Sequence, residues 1–149
     1  AEWQHLSLRT SNLRTGSSRQ NRLGDIDGYI GPDLMVSLEA KDKPVTDSVV
    51  ERELNGLREL AQNTGAIAIV MCSSIKGSAR STLVDEGVLV LADSDIENQL
   101  KLWDYHKQDN AVQGMIHYFK NVEENPDATT RILGFVNEVD PGNSAVDSL

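Results

Sequence analysis

The segment Gly24-Asp25-Ile26-Asp27-Gly28-Tyr29-Ile30-Gly31-Pro32-Asp33-Leu34-Met35-Val36-Ser37-Leu38-Glu39-Ala40-Lys41 decides how this chain is read. Residues 24–30 alternate between apolar and polar, which predicts a strand. Gly31-Pro32-Asp33 is a turn signal, and residues 34–41 alternate again. A three-residue turn pairs Ile30 with Leu34, Gly28 with Val36 and Ile26 with Leu38. One face of the hairpin then carries Ile26, Gly28 and Ile30 against Leu34, Val36, Leu38 and Ala40. The other carries Asp25 and Asp27 with Met35, Ser37, Glu39 and Lys41. In this register Asp25 lies across from Glu39, and Asp27 lies across from Ser37 and diagonal to Glu39. Cross-strand neighbours sit ~4.5–5.5 Å apart at Cβ, so like charges there are unfavourable unless something compensates them. A divalent cation such as Mg²⁺ compensates, because it takes hard oxygen ligands from one or two carboxylates and fills its shell with water or phosphate.

Working outward, Pro44 and Thr46 mark a break and an N-cap. Val50, Leu54, Leu57 and Ala61 recur at helical spacing, which predicts one amphipathic helix over 47–63, closed by Gly65. Residues 66–72 are apolar at every position and predict a central strand covered on both faces. Residues 73–86 read as a loop with a short helix at 79–85, and 87–92 as a fourth strand. Ser94 and Glu97 have capping-box spacing ahead of a helix that uses Ile96, Leu100 and Trp103. Two further helices are expected over 111–121 and 127–139, with Trp103 and Phe119 in the core. The expected fold is α/β: a mixed central sheet of about four strands flanked by helices, with additional C-terminal helices. The expected division is a basic N-terminal arm over 1–23, one domain over 24–140 and a polar tail over 141–149; 149 residues suit one such domain.

Composition narrows the function. The net charge is −9 and the pI about 4.7, which argues against a basic DNA-binding module. The charge is uneven, since residues 1–24 hold Arg9, Arg14, Arg19 and Arg22 against Glu2, a net +3, and the rest holds −12. Such an arm can track phosphates. Cys72 is the single cysteine and lies in an apolar run, so it reads as a small buried hydrophobe in a reducing, cytoplasmic protein. One Cys and three His (His5, His106, His117) show no zinc-ligand spacing. Ser73-Ser74-Ile75-Lys76-Gly77-Ser78 lacks P-loop spacing; Arg58 and Lys76 read as solvated charges. No apolar run spans a membrane, and no signal peptide is read at the start. Beginning at Ala1 rather than Met, the chain is expected to be a piece of something longer.

Asp27-Gly28, with Glu39-Ala40-Lys41 on the next strand and a helix and covered strand after it, resembles the PD-(D/E)xK nuclease superfamily, in particular its restriction-endonuclease-like, Mrr-like members. The resemblance spans residues 24–72. It implies that Asp27 and Glu39 bind Mg²⁺, with Mn²⁺ as a substitute, and that Lys41 orients or activates the attacking water and steadies phosphate charge. Asp25 is the rival to Asp27 or a second ligand. Pro32-Asp33 spells the family's name, but Asp33 sits at the turn, ~20 Å of strand from Glu39. The family's helix before the first strand has only Glu2 to offer here; Glu51 or Glu53 on the following helix could assist, but the expected reading of either is a solvated surface charge. The implied activity is Mg²⁺-dependent endonucleolytic hydrolysis of DNA by a restriction-type enzyme or its cleavage domain, acting as a homodimer or with a missing recognition domain or subunit. The alternative is a nuclease fold kept for binding or assembly without catalysis, and a small-molecule α/β enzyme ranks last.

Overall fold

The computed structural model describes residues 6–10 and 24–143. Most of the basic arm and the end of the polar tail lie outside the described residues. The chain divides into two compact units, Ala1–Glu97 and Asn98–Leu149, so the division falls inside the span expected to form one domain.

The first unit is built on a five-stranded mixed sheet in the order β1 (Ser7–Thr10), β2 (Ile26–Ile30), β3 (Asp33–Lys41), β4 (Ile67–Cys72), β5 (Val88–Ala92). The first three strands run antiparallel, and β3, β4 and β5 are parallel. Parallel neighbours need crossovers. Helices α1 (Asp47–Glu53) and α2 (Asn55–Asn63) link β3 to β4, and α3 (Ala79–Asp85) links β4 to β5. The expectation of an α/β fold with a mixed sheet holds. The fifth strand comes from the arm, where Ser7–Thr10 pairs with β2 as an edge. The helix expected over 47–63 is two helices, broken at fully buried Leu54, whose ψ of 9° leaves the helical region.

Helices α1–α3 cover one face of the sheet. Ala68, Val70 and Cys72 of β4 and Val88, Val90 and Ala92 of β5 form one core with Val50, Leu54, Leu57, Leu60 and Leu83. Burying each of the larger aliphatic side chains contributes ~1.5–3 kcal/mol. Cys72 belongs to this core, and burial pushes its thiol pKa up, as expected of a packed hydrophobe. On the opposite face Ile67 is exposed and Ile69 and Met71 are half-buried, so β4 is fully covered on one face only. That differs from the expectation for 66–72, because an unbroken apolar run cannot by itself distinguish two covered faces from one.

The hairpin register holds from Ile26↔Leu38 to Gly28↔Val36, then shifts by one to Tyr29↔Leu34 and Ile30↔Asp33. The turn therefore has two residues rather than three. Gly31 has a φ of 61°, and the Pro32 ring fixes its own φ near −65°; a two-residue hairpin turn of type II′ uses this combination. The β-bulge absorbs the extra residue on β3 and turns Leu34 onto the helical core. The expectation that Leu34 shares a face with Val36 and Leu38 is corrected accordingly.

Helix α4 (Asp93–Leu100) begins directly after β5. Ser94 lies inside it rather than at its N-cap. Asp95 does the terminal work, accepting the Ala92 N–H at 2.9 Å and an Arg80 N–H at 2.6 Å. These bonds hold its carboxyl below the ordinary value, with the Arg80 bond the larger cause.

The second unit contains α5 (Tyr105–His117), a π-helical turn (Tyr118–Val122) and α6 (Pro126–Val139). Asp104 caps α5 by accepting from Lys107 N, and Asn125 caps α6 by accepting from Ala128 N with Pro126 in the first turn. Ile116 and Leu133 make its small core with Val112 and Ile132. Trp103 sits in the turn before α5 and is 39% exposed, so its expected place in the core is corrected. No helix among the described residues is long and apolar enough to cross a membrane.

Candidate active site on the helix-covered face of the hairpin

Parallel pairing fixes which side of the sheet the polar residues occupy. Ser37, Glu39 and Lys41 pair with Ala68, Val70 and Cys72, which are core residues. Paired residues point to the same face. The polar face of the hairpin is therefore on the same side of the sheet as the helices. Asp27 pairs with Ser37 across the β2–β3 ladder and joins the same face.

Asp27 and Ser37 are both 0% exposed. The Ser37 hydroxyl donates to Asp27 Oδ1 at 2.7 Å. Burying a carboxylate is unfavourable unless it is hydrogen-bonded, and this bond is one means by which the fold keeps it. Gly24 helps seal the pair, since a Cβ there would come within 2.6 Å of Ser37 Oγ and of Leu38 O, an approach only glycine allows. Gly28 serves the other side of the strand, where a Cβ would meet Val36 Cγ1 at 2.6 Å. The Asp-Gly dipeptide thus combines a buried carboxylate on one face with a close contact on the other.

Asp25 behaves differently. It lies just before β2, and its Oδ2 accepts the Ala40 N–H at 2.9 Å. Its carboxylate stands in for the backbone acceptor that β2 no longer supplies, so it caps the ladder rather than pairing with Glu39. Asp33 is at the exposed turn, paired with Ile30. Among the described residues, no group of three or more His, Cys, Asp or Glu side chains is placed to hold a metal ion. The carboxylates left on the site face by the ladder are Asp27 and Glu39, two residues apart along the paired strands.

Lys41 ends β3 with its side chain only 14% exposed. Its Nζ donates to Glu39 Oε1 at 2.7 Å and lies 3.3 Å from Glu53 Oε2, at the end of α1. The other Glu53 oxygen takes Lys43 Nζ at 3.0 Å. Burial alone would lower the Lys41 pKa, but hydrogen bonds and charge from Glu39, then Glu53, outweigh it and hold the pKa above the ordinary lysine value. Glu53 is held below the usual glutamate value, first by the hydrogen bond from Lys43 and then by that from Lys41.

On the edge strand Arg9 pairs with Asp27, which puts it on this face, and its guanidinium lies 4.4 Å from the centroid of the Tyr29 ring. Sequence reasoning treated Arg9 only as part of a basic arm and Ser37 only as a neighbour; the alternation that placed Asp27 was the signal for Ser37, and nothing comparable marked Arg9. Arg58 is committed to Glu86, to which it donates through Nε and Nη2. Chemically, the site offers two hard oxygen donors, one nearly buried ammonium and two further cations, Lys43 and Arg9, nearer solvent. No known protein family matches the chain, and no curated protein matches it.

Proposed function

We propose that the chain is a divalent-metal-dependent DNA endonuclease of the PD-(D/E)xK type, or the cleavage domain of one. The observation that carries this reading is that Asp27, Glu39 and Lys41 share one face of β2–β3, with Lys41 Nζ bonded to Glu39 at 2.7 Å. The donor set fits Mg²⁺ or Mn²⁺, which accept one or two carboxylates and complete their shell with water and phosphate. Asp27 and Glu39 would hold the cation. When bound, it supplies Lewis acidity and charge neutralisation at a phosphodiester. Lys41 has three N–H donors, so it can keep a carboxylate partner and still aim one at the attacking water or at a phosphate oxygen, where an ammonium stabilises developing charge. Lys43 and Arg9 are exposed cations, and exposed cations are the groups that contact a nucleic-acid backbone. The five-stranded mixed sheet with its helices is compatible with a restriction-endonuclease-like fold. An acidic body repels DNA, which supports a second copy or a recognition partner as the source of affinity.

The full burial of Asp27 favours a second reading, in which the fold serves binding or assembly without catalysis. Plasmid nicking and cleavage with Mg²⁺ or Mn²⁺ separates the two. The expected result is metal-dependent cutting that is lost in Glu39→Ala and in Lys41→Ala. Folded wild type that neither cuts DNA nor binds Mn²⁺ by calorimetry would remove the metal site and leave the second reading.

A further inference from the structure

We propose that Glu53 is a positioning residue for Lys41, holding its ammonium so that Glu39 is free to take a divalent cation. The inference rests on the metal-site reading above and extends it to a residue on a different element. Lys41 Nζ sits between two carboxylates, 2.7 Å from Glu39 Oε1 and 3.3 Å from Glu53 Oε2. One of these, Glu39, is also a proposed cation ligand, and the two demands conflict. A divalent cation at Glu39 repels the lysine charge beside it, and a lysine held by Glu39 alone competes with the cation for the charge of the same carboxylate. Glu53 resolves the conflict because it offers the ammonium a second anchor that is not on the metal-binding strand pair. Its other oxygen is engaged by Lys43 at 3.0 Å, which pins the carboxylate in place. The helix geometry supports the same role. Glu53 is the last residue of α1, and buried Val49 and Val50 anchor that helix in the hydrophobic core beside α2 and α3, so the carboxylate is presented from a fixed element.

Mn²⁺ binding measured by calorimetry on the whole chain tests this, using wild type, Glu53→Gln, Lys41→Met and the double variant. Glu39→Gln serves as the check on the metal site. The expected result is that Glu53→Gln weakens Mn²⁺ binding about two- to fivefold, the range set by a partly exposed ion pair. In the Lys41→Met background the same substitution should have almost no effect, because there is no ammonium left to compete for Glu39. Glu53→Asp, which keeps the charge at a partly exposed position, should restore part of the affinity. An equal weakening in both backgrounds would mean that Glu53 acts only as a nearby negative charge, and it would overturn the positioning role while leaving the metal site intact. Unchanged affinity in Glu53→Gln would overturn it likewise. Mn²⁺ binding that is absent in wild type, or indifferent to Glu39→Gln, would remove the metal site itself and this inference with it.

Discussion

Replacing Ser37 with alanine is the sharpest test of the site's architecture, because it removes one oxygen atom from a buried carboxylate's environment. Ser37 and Asp27 are fully buried, and the hydroxyl donates to Asp27 Oδ1 at 2.7 Å. A hydrogen bond to a charged group contributes ~1.5–3 kcal/mol, and one between neutral groups ~0.5–1.5 kcal/mol. Alanine cannot donate, so the substitution removes this bond. Ser37→Ala should therefore lower stability by ~1.5–3 kcal/mol in urea unfolding followed by circular dichroism. The same substitution made in an Asp27→Asn background should lower it by about half as much, since charge assistance roughly doubles the bond. That difference is the diagnostic quantity. Equal losses in the two backgrounds would show that the hydroxyl does not compensate the Asp27 charge. A wild-type loss under ~0.5 kcal/mol would show that the pair is not a stabilising contact at all.

Two further outcomes follow from the same structure. Leu83 is fully buried on α3 against β5 and the α1–α2 core, so Leu83→Ala should cost ~2–5 kcal/mol in the same unfolding assay; a loss under ~1 kcal/mol would mean that α3 does not seal this core. The Arg58 hydrogen bonds hold the Glu86 carboxyl below its ordinary value of 4.5. A carboxyl with a lowered folded pKa contributes stability above the unfolded value and loses it as pH falls through the folded one. Wild type should thus lose more stability than Glu86→Gln on acidification below about pH 5, and parallel stability–pH curves would refute the assignment.

Much of the fold was legible because period and turn chemistry agreed. Alternation through residues 24–41 gave both strands and the pairing of Ile26 with Leu38 and Gly28 with Val36. It failed at the tip, where a bulge moved Leu34 to the other face. A bulge depends on how the hairpin twists against its neighbours, so no local pattern announces it. The edge strand Ser7–Thr10 was hidden in a segment whose composition reads as a solvated arm. Its pairing with β2 is a long-range contact, and edge strands are short and only weakly patterned. The break at Leu54 escaped for a related reason, since Val50, Leu54 and Leu57 keep helical spacing across it.

The site was legible as a set of residues but not as an environment. Spacing alone puts Asp27, Ser37, Glu39 and Lys41 on one face, and the ladder does so. What spacing could not decide is which face the helices cover. Both faces of β4 are apolar, so either could have received α1–α3. The helices lie on the face of Ala68, Val70 and Cys72, whereas the opposite face carries Ile67, Ile69 and Met71. With the helices on that side, Glu53 at the end of α1 comes within reach of Lys41, while the β2–β3 ladder itself gives buried Asp27 its Ser37 donor. A residue twelve positions beyond Lys41 on another element cannot be found from strand alternation. It follows from the crossover, because parallel β-α-β connections are right-handed and this fixes which side of the sheet the helices occupy. The strand motif and the helix that shelters it are therefore one unit in this protein, and substitutions that shift α1 should disturb Lys41 even where they leave β2 and β3 untouched.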